Sequence, residues 1–244
     1  MIKVIIITIE KGGVGKTTIA THLFYHLIFN GYKVAFLDAD GQGNSSIFLK
    51  PLLSDITAID FFTRKLTKLS NRDVVFSSTR DIFALKDIDL TTINENKEFL
   101  NEQGFDFLII DTNPALSNCS VPCIILSDIV FLPINMSEFA YKSVNNTIQF
   151  IKDVKQKHSL NIDIGGLIPN MVNTKSPEQL RALANLIDKY PDKVMPFLGF
   201  RAPYTATMNN TTPLWKRYPI AGNVKVAANE MKKLYHHMEA VLNG

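Results

Sequence analysis

Residues 10–18 read Glu10-Lys11-Gly12-Gly13-Val14-Gly15-Lys16-Thr17-Thr18, directly after the apolar run Lys3–Ile9. The run is β-branched and apolar on both faces, the pattern of a central parallel strand. Glycines break it, and a helix is expected from about Lys16 to Phe29, with Ile19, Leu23, His26 and Leu27 on one face and Asn30-Gly31 ending it. A buried strand, a glycine loop and a helix in that order make a phosphate cradle. Glycines allow left-handed backbone angles that turn N–H groups toward phosphate oxygens, and the helix adds its positive end. The pattern Gly-x-x-x-x-Gly-Lys-Thr is compressed here, with Glu10 in the place of its first glycine. Lys16 is expected to reach the β and γ phosphates, and the Thr17 hydroxyl to meet Mg²⁺.

Outward from the loop, strands alternate with helices. Strands are expected at Lys33–Asp38, Ile82–Leu85, Phe105–Asp111, Ile129–Leu132, Ile162–Ile168 and Val194–Leu198. Helices are expected around Ser45–Leu49, Ala58–Thr63 and Thr92–Glu102, then at Glu138–Lys157, Pro177–Lys189 and Val224–Leu242. This order predicts an α/β fold: a mostly parallel, twisted sheet with helices on both faces, in one domain over residues 1–244. Apolar residues make up 46% and charged residues 20% of the 244, which excludes wholesale disorder, collagen and coiled coil. Cys119 and Cys123 provide no disulfide framework, and the apolar N-terminus is too short for a signal or spanning segment. A cytoplasmic protein is the expectation.

Carboxylates end two of the strands. Asp38 and Asp40 stand at i and i+2 at the C-terminal end of the second strand, so both side chains point into the crevice above the sheet. Asp111 ends the apolar strand Phe105–Asp111 and is expected beside Mg²⁺.

The eight residues Lys11–Thr18 match the deviant Walker A motif without a gap, and the chain resembles the ParA/MinD ATPases, the short Soj-like ParA partition proteins most of all. The stretch Asp38-Ala39-Asp40-Gly41-Gln42-Gly43-Asn44 is similar to that family's Asp-x-Asp-Pro-Gln-Gly-Asn, with Gly41 in place of proline. Thr112-Asn113-Pro114 stands where relatives carry two prolines. The resemblance implies a P-loop ATPase fold with ATP and Mg²⁺ as cofactors. Lys11, Gly12, Gly13, Val14, Gly15, Lys16, Thr17 and Thr18 would hold the phosphates. Thr17, Asp38, Asp40 and Asp111 would surround the metal. Asp40 would orient the attacking water while Asp38 supports the metal site. Lys11 would reach across an ATP-dependent homodimer to the partner's phosphates. Gly165–Val172 is similar to the family's adenine-binding strand end, which makes Asn170 a candidate base contact; a turn-forming asparagine is the other reading. Pro203, in Arg201-Ala202-Pro203-Tyr204, is a second base candidate.

Residues 171–244 hold 10 basic and 5 acidic side chains, and residues 1–170 hold 16 and 18. The positive excess therefore lies in the last third, as either a solvated surface or a face for an anionic polymer. The resemblance implies non-specific DNA binding there, with Arg181, Lys189, Arg201, Lys216, Arg217 and Lys225 as candidates. It also implies nucleoid association in the ATP state and a ParB-like, centromere-binding partner. A MinD-like or pilus-type ATPase at a membrane or cell pole is the alternative. Against it, the last helix carries a core-sealing stripe of Ala227, Met231, Leu234, Tyr235, Met238 and Leu242, with no bulky basic segment following. Trp215 is expected in the core, and His236-His237 on the surface without a joint metal site. No substrate pocket or cluster-ligand set for a metabolic enzyme stands out.

Overall fold

Among the described residues, seven strands form one parallel sheet in the order β3-β4-β2-β5-β1-β6-β7. They are β1 (Lys3–Ile7), β2 (Val34–Ala39), β3 (Leu53–Thr57), β4 (Val74–Ser77), β5 (Phe107–Thr112), β6 (Ile129–Asn135) and β7 (Asp163–Asn170). The computed structural model describes residues 1–69, 74–78, 80–84, 89–113, 120–137, 140–208, 212–216 and 221–244. Alternate side chains of each central strand enter opposite layers: Val4, Ile6, Leu108 and Ile110 face one, and Ile5, Ile7, Phe107 and Ile109 the other. That alternation explains why these strands are apolar throughout.

One layer holds α3 (Ala58–Thr63), α4 (Leu90–Glu102), α5 (Ser120–Leu126), α6 (Ala140–His158) and α7 (Pro177–Lys189). The opposite layer holds α1 (Lys16–Phe29), α2 (Asn44–Phe48), α8 (Ala202–Met208) and α9 (Gly222–Asn243). The α9 stripe Ala227, Met231, Leu234, Tyr235, Met238 and Leu242 is buried in that core, as its spacing predicts. After β1 the chain builds β2 to β5 on one side and β6 and β7 on the other, so the topological switch point lies at β1. Ligands of open α/β sheets bind beyond the carboxyl ends of strands at such points. The register aligns those ends: Ile7 and Asp38 both pair with Asp111, and Asn135 pairs with Asn170.

Among the described residues, two expected strands are not formed. Val194–Leu198 forms no ladder: Val194 bridges to Leu167, and the next bridge, Gly199 to Val172, falls beyond its end, with Pro196 between them lacking an N–H to donate. Arg80–Ala84 is a 3₁₀ helix where a strand from Ile82 is expected; Leu85 lies outside the described residues. Conversely, β3 is a half-buried edge strand with polar Ser54 and Asp55, and β4 has only four residues, so neither carries a readable period.

Candidate nucleotide site

The loop between β1 and α1 has the conformation its glycines permit. Gly13 and Gly15 have φ of 69° and 90°, in the left-handed region. A Cβ on Gly15 would also fall 2.2 Å from Asn170 Nδ2. Among the described residues no side chain caps the start of α1, which leaves its first N–H groups without a side-chain acceptor. Lys16, 6% exposed, donates to the backbone oxygens of Lys11 at 3.0 Å and Ile9 at 3.5 Å. Burial pushes its ammonium below the usual lysine range, and Asp111 and Asp40 pull it back up. Lys11 turns the other way. Its Nζ donates to Ser137 Oγ at 3.0 Å and Asn135 Oδ1 at 3.2 Å, beyond the end of β6.

The three carboxylates converge on this loop. Asp38 accepts at Oδ2 from Ser46 N at 2.9 Å and Ser46 Oγ at 2.6 Å, and at Oδ1 from Asp40 N at 3.2 Å. Both its oxygens are thus engaged, and the residue fastens the 40–46 segment to β2. Asp40 accepts from Gln42 N at 3.0 Å. Asp111 accepts from Ser45 Oγ at 2.6 Å through Oδ2, while its buried Oδ1 has no hydrogen-bond partner among the described residues. Burial, with the nearby charge of Asp38, pushes Asp111 up to about 7, against the hydroxyls of Ser45 and Thr17. Burial pushes Asp38 up to about 6 despite its hydrogen bonds to Ser46. An orphaned carboxylate oxygen in an acidic, buried group beside a threonine hydroxyl fits a hard divalent cation, whose charge would remove the cost of ionising the pair. Of the expected metal set, Asp111, Thr17 and Asp40 could hold Mg²⁺, whereas Asp38 has both oxygens engaged by Ser46 and the Asp40 backbone. Ser45 and Ser46, which orient two of the carboxylates, carry no signal in sequence beyond their place after Asn44.

Two hollows meet at Gly15 and Met171. One, of about 400 Å³, is lined by Gly13 to Thr17, Asp40, Gln42 and Asn44 and suits the phosphates. The other, of about 200 Å³, lies between α1 and α8 and includes Thr18, Asn170, Phe200, Arg201 and Tyr204. Asn170 sits at their junction, donating from Nδ2 to Val14 O at 2.7 Å and accepting at Oδ1 from Met171 N at 2.9 Å. It therefore braces the phosphate loop in this structure. Pro203 is buried at the start of α8, outside both linings; its neighbours Arg201 and Tyr204 form the wall.

The basic candidates do not share one face. Arg181 and Lys189 are exposed on α7, while Lys216 and Lys225 are exposed beside and on α9, across the sheet. Arg201 is spent on Glu230, with Nη2 2.6 Å from Oε1 and Nε 2.9 Å from Oε2, and drops out of the set of available cations. Arg217 and Cys119 lie outside the described residues. Cys123 is buried, and Trp215 is half-buried against His22, Phe29 and Tyr235. No helix among the described residues is long and apolar enough to cross a membrane.

The parallel sheet, the glycine loop at its switch point and the carboxylates opposite define a P-loop nucleotide-binding fold. A family model described as an AAA domain matches residues 2–164. Protein IncC of Escherichia coli is 26% identical over 234 residues, covering 88% of this chain and 63% of its own length, so this chain spans less than two thirds of that relative. The chromosome-partitioning ATPase Soj of Treponema pallidum is 27% identical over 208 residues, 79% of this chain and 80% of its own. McdA of Cyanothece, solved as an ATP complex, superposes with a TM-score of 0.80 at 21% identity over 99% of this chain and 96% of its own. The chain belongs to this AAA-domain family and, within it, to the Soj-like ParA/MinD ATPases.

Proposed function

We propose that this chain is an ATP hydrolase that binds ATP-Mg²⁺, dimerises around the nucleotide, binds DNA without sequence preference and hydrolyses slowly to drive partition of a plasmid or chromosome. The observation that carries the reading is the convergence of Lys16, Asp40 and Asp111 on one uncapped helix start, with a second lysine, Lys11, on the rim of the same loop. Lys16 neutralises the outer phosphates. Asp40 orients the water that attacks the terminal phosphoryl group, and Asp38 holds the segment that carries Asp40. Thr17, Asp40 and Asp111 would hold Mg²⁺, which would supply neutralising charge to the phosphates. Phosphoryl transfer asks mainly for positioning and charge, which this constellation provides. The phosphate that is cut is also the one that favours the dimer, so hydrolysis releases the partner and the DNA together. The names of its relatives, a Soj partition ATPase among them, favour partition over pole or membrane positioning, as does the burial of the apolar stripe on α9. A ParB-like protein is the expected stimulating partner.

The test is DNA and lipid binding measured side by side with ATP, ADP and no nucleotide. ATP-dependent DNA binding whose log affinity falls linearly with log salt is the expected result. ATP-dependent pelleting with vesicles and no DNA binding would instead establish the MinD-like alternative.

A further inference from the structure

Away from the nucleotide, α1 and α9 bring two imidazoles and a carboxylate together. His26, in the last turn of α1, and His236 and Glu239, at i and i+3 on α9, each place one ligand atom within 4.8 Å of the others. Glu239 Oε2 lies 3.1 Å from His26 Nε2 and 3.9 Å from His236 Nδ1. Asn30 Nδ2 completes a tight triangle, 3.1 Å from His26 Nε2 and 3.0 Å from Glu239 Oε2.

With a proton on Nε2, His26 donates to Glu239 Oε2, which also accepts from the Asn30 amide. A cation between His26, His236 and Glu239 would take the place of that proton and be met by one imidazole nitrogen from each helix and by the carboxylate. We propose that His26, His236 and Glu239 form a transition-metal site, selective for Zn²⁺ or a similar borderline ion, that pins the far end of the loop helix α1 to α9.

Two imidazoles and one carboxylate are a ligand set for Zn²⁺, which binds nitrogen at about 2.0–2.1 Å with its ligands at the corners of a tetrahedron. The His26–Glu239 separation already suits that geometry; only the exposed His236 has to move inward. The cluster opens on a hollow of about 390 Å³ lined by Phe29, Trp215, Lys216 and Lys232, which leaves room for a fourth ligand. The two lysines disfavour any cation held by charge alone. Binding has to come from nitrogen coordination, which excludes Mg²⁺ and Ca²⁺ and separates this site from the one at Asp111.

The test titrates Zn²⁺ into the nucleotide-free chain in excess Mg²⁺, with Co²⁺ as a spectroscopic substitute. One equivalent is expected to bind, with tetrahedral Co²⁺ absorption and a Zn²⁺-dependent rise in melting temperature. His236→Ala and Glu239→Gln should each weaken binding at least about tenfold and abolish the rise, while His237→Ala, one residue away, leaves both unchanged. The His236 side chain is 67% exposed, so its loss spares the fold, and an unchanged metal-free melting temperature verifies this. Failure to bind stoichiometric Zn²⁺, or binding that survives both substitutions, overturns the site.

Discussion

Lys11 donates to Asn135 Oδ1 at 3.2 Å, so the first lysine of the phosphate loop is docked on the end of β6 in its own chain. For Lys11 to serve a partner's nucleotide it must leave Asn135 and Ser137. That docking is a toll on dimerisation, since the competent state is reduced by the fraction held back. Replacing both acceptors, Asn135→Ala with Ser137→Ala, removes about 1 kcal/mol of docking and should lower the ATP concentration for half-dimerisation about fivefold. Light scattering across an ATP titration measures this; a shift to higher ATP would show that the two residues assist the dimer.

Lys16 is held by two backbone oxygens of its own loop, pre-positioned where the outer phosphates would lie. Lys16→Ala should abolish detectable nucleotide binding while the chain stays folded. Equilibrium binding of a fluorescent ATP analogue checks it, and retained affinity would move the phosphates elsewhere.

Asp40 is fixed from both sides, through Gln42 N and through its own N–H to Asp38. Asp40→Ala should slow single-turnover hydrolysis by about two orders of magnitude, roughly 2.7 kcal/mol of barrier, and trap ATP dimers. Undiminished turnover would remove it from the water-positioning role.

Asp111 makes stability depend on pH in an unusual direction. Its folded pKa of about 7 lies above the ordinary 3.8, so the folded state holds a proton that the unfolded state has released. Its contribution is complete below the unfolded value and is lost as pH rises through about 7. Asp38, raised to about 6, acts in the same sense. Buried His22, lowered to about 4, acts oppositely: its contribution is complete above 6.5 and lost as pH falls toward 4. Comparing wild type with Asp111→Asn cancels the His22 effect and reads Asp111 together with its coupling to Asp38. Without Mg²⁺ the variant should be the more stable at about pH 8, with the gap closing by about pH 5. Mg²⁺ should then stabilise the wild type alone. Urea denaturation in chelator and in Mg²⁺ decides, and a gap independent of pH would contradict the assignment.

The central fold was legible because its signals are redundant. β1, β2 and β5 are apolar on both faces, α1 begins at the lysine that ends the glycine loop, and α7 begins at Pro177, where its boundary was expected. The edge was not. β3 and β4 are short or polar, and their pairing is set by neighbours far away in sequence. Asp38, Asp40 and Asp111 were readable as strand ends, but not that Asp38 turns both oxygens toward Ser46 and the Asp40 backbone. The surplus of basic residues was countable, whereas its division across two faces depends on which layer α7 and α9 join. His236-His237 read as adjacent surface histidines; the pairing with His26 crosses between helices more than two hundred residues apart, which no local spacing encodes.

The account rests on ATP joining two copies of this chain through Lys11. Small-angle scattering on wild type and Lys11→Ala, each with ATP and with ADP, tests that most directly. It should show a wild-type dimer with ATP only and a Lys11→Ala monomer under both conditions. Single subunits in ATP-loaded wild type, or an ATP dimer that persists without the lysine, would contradict it.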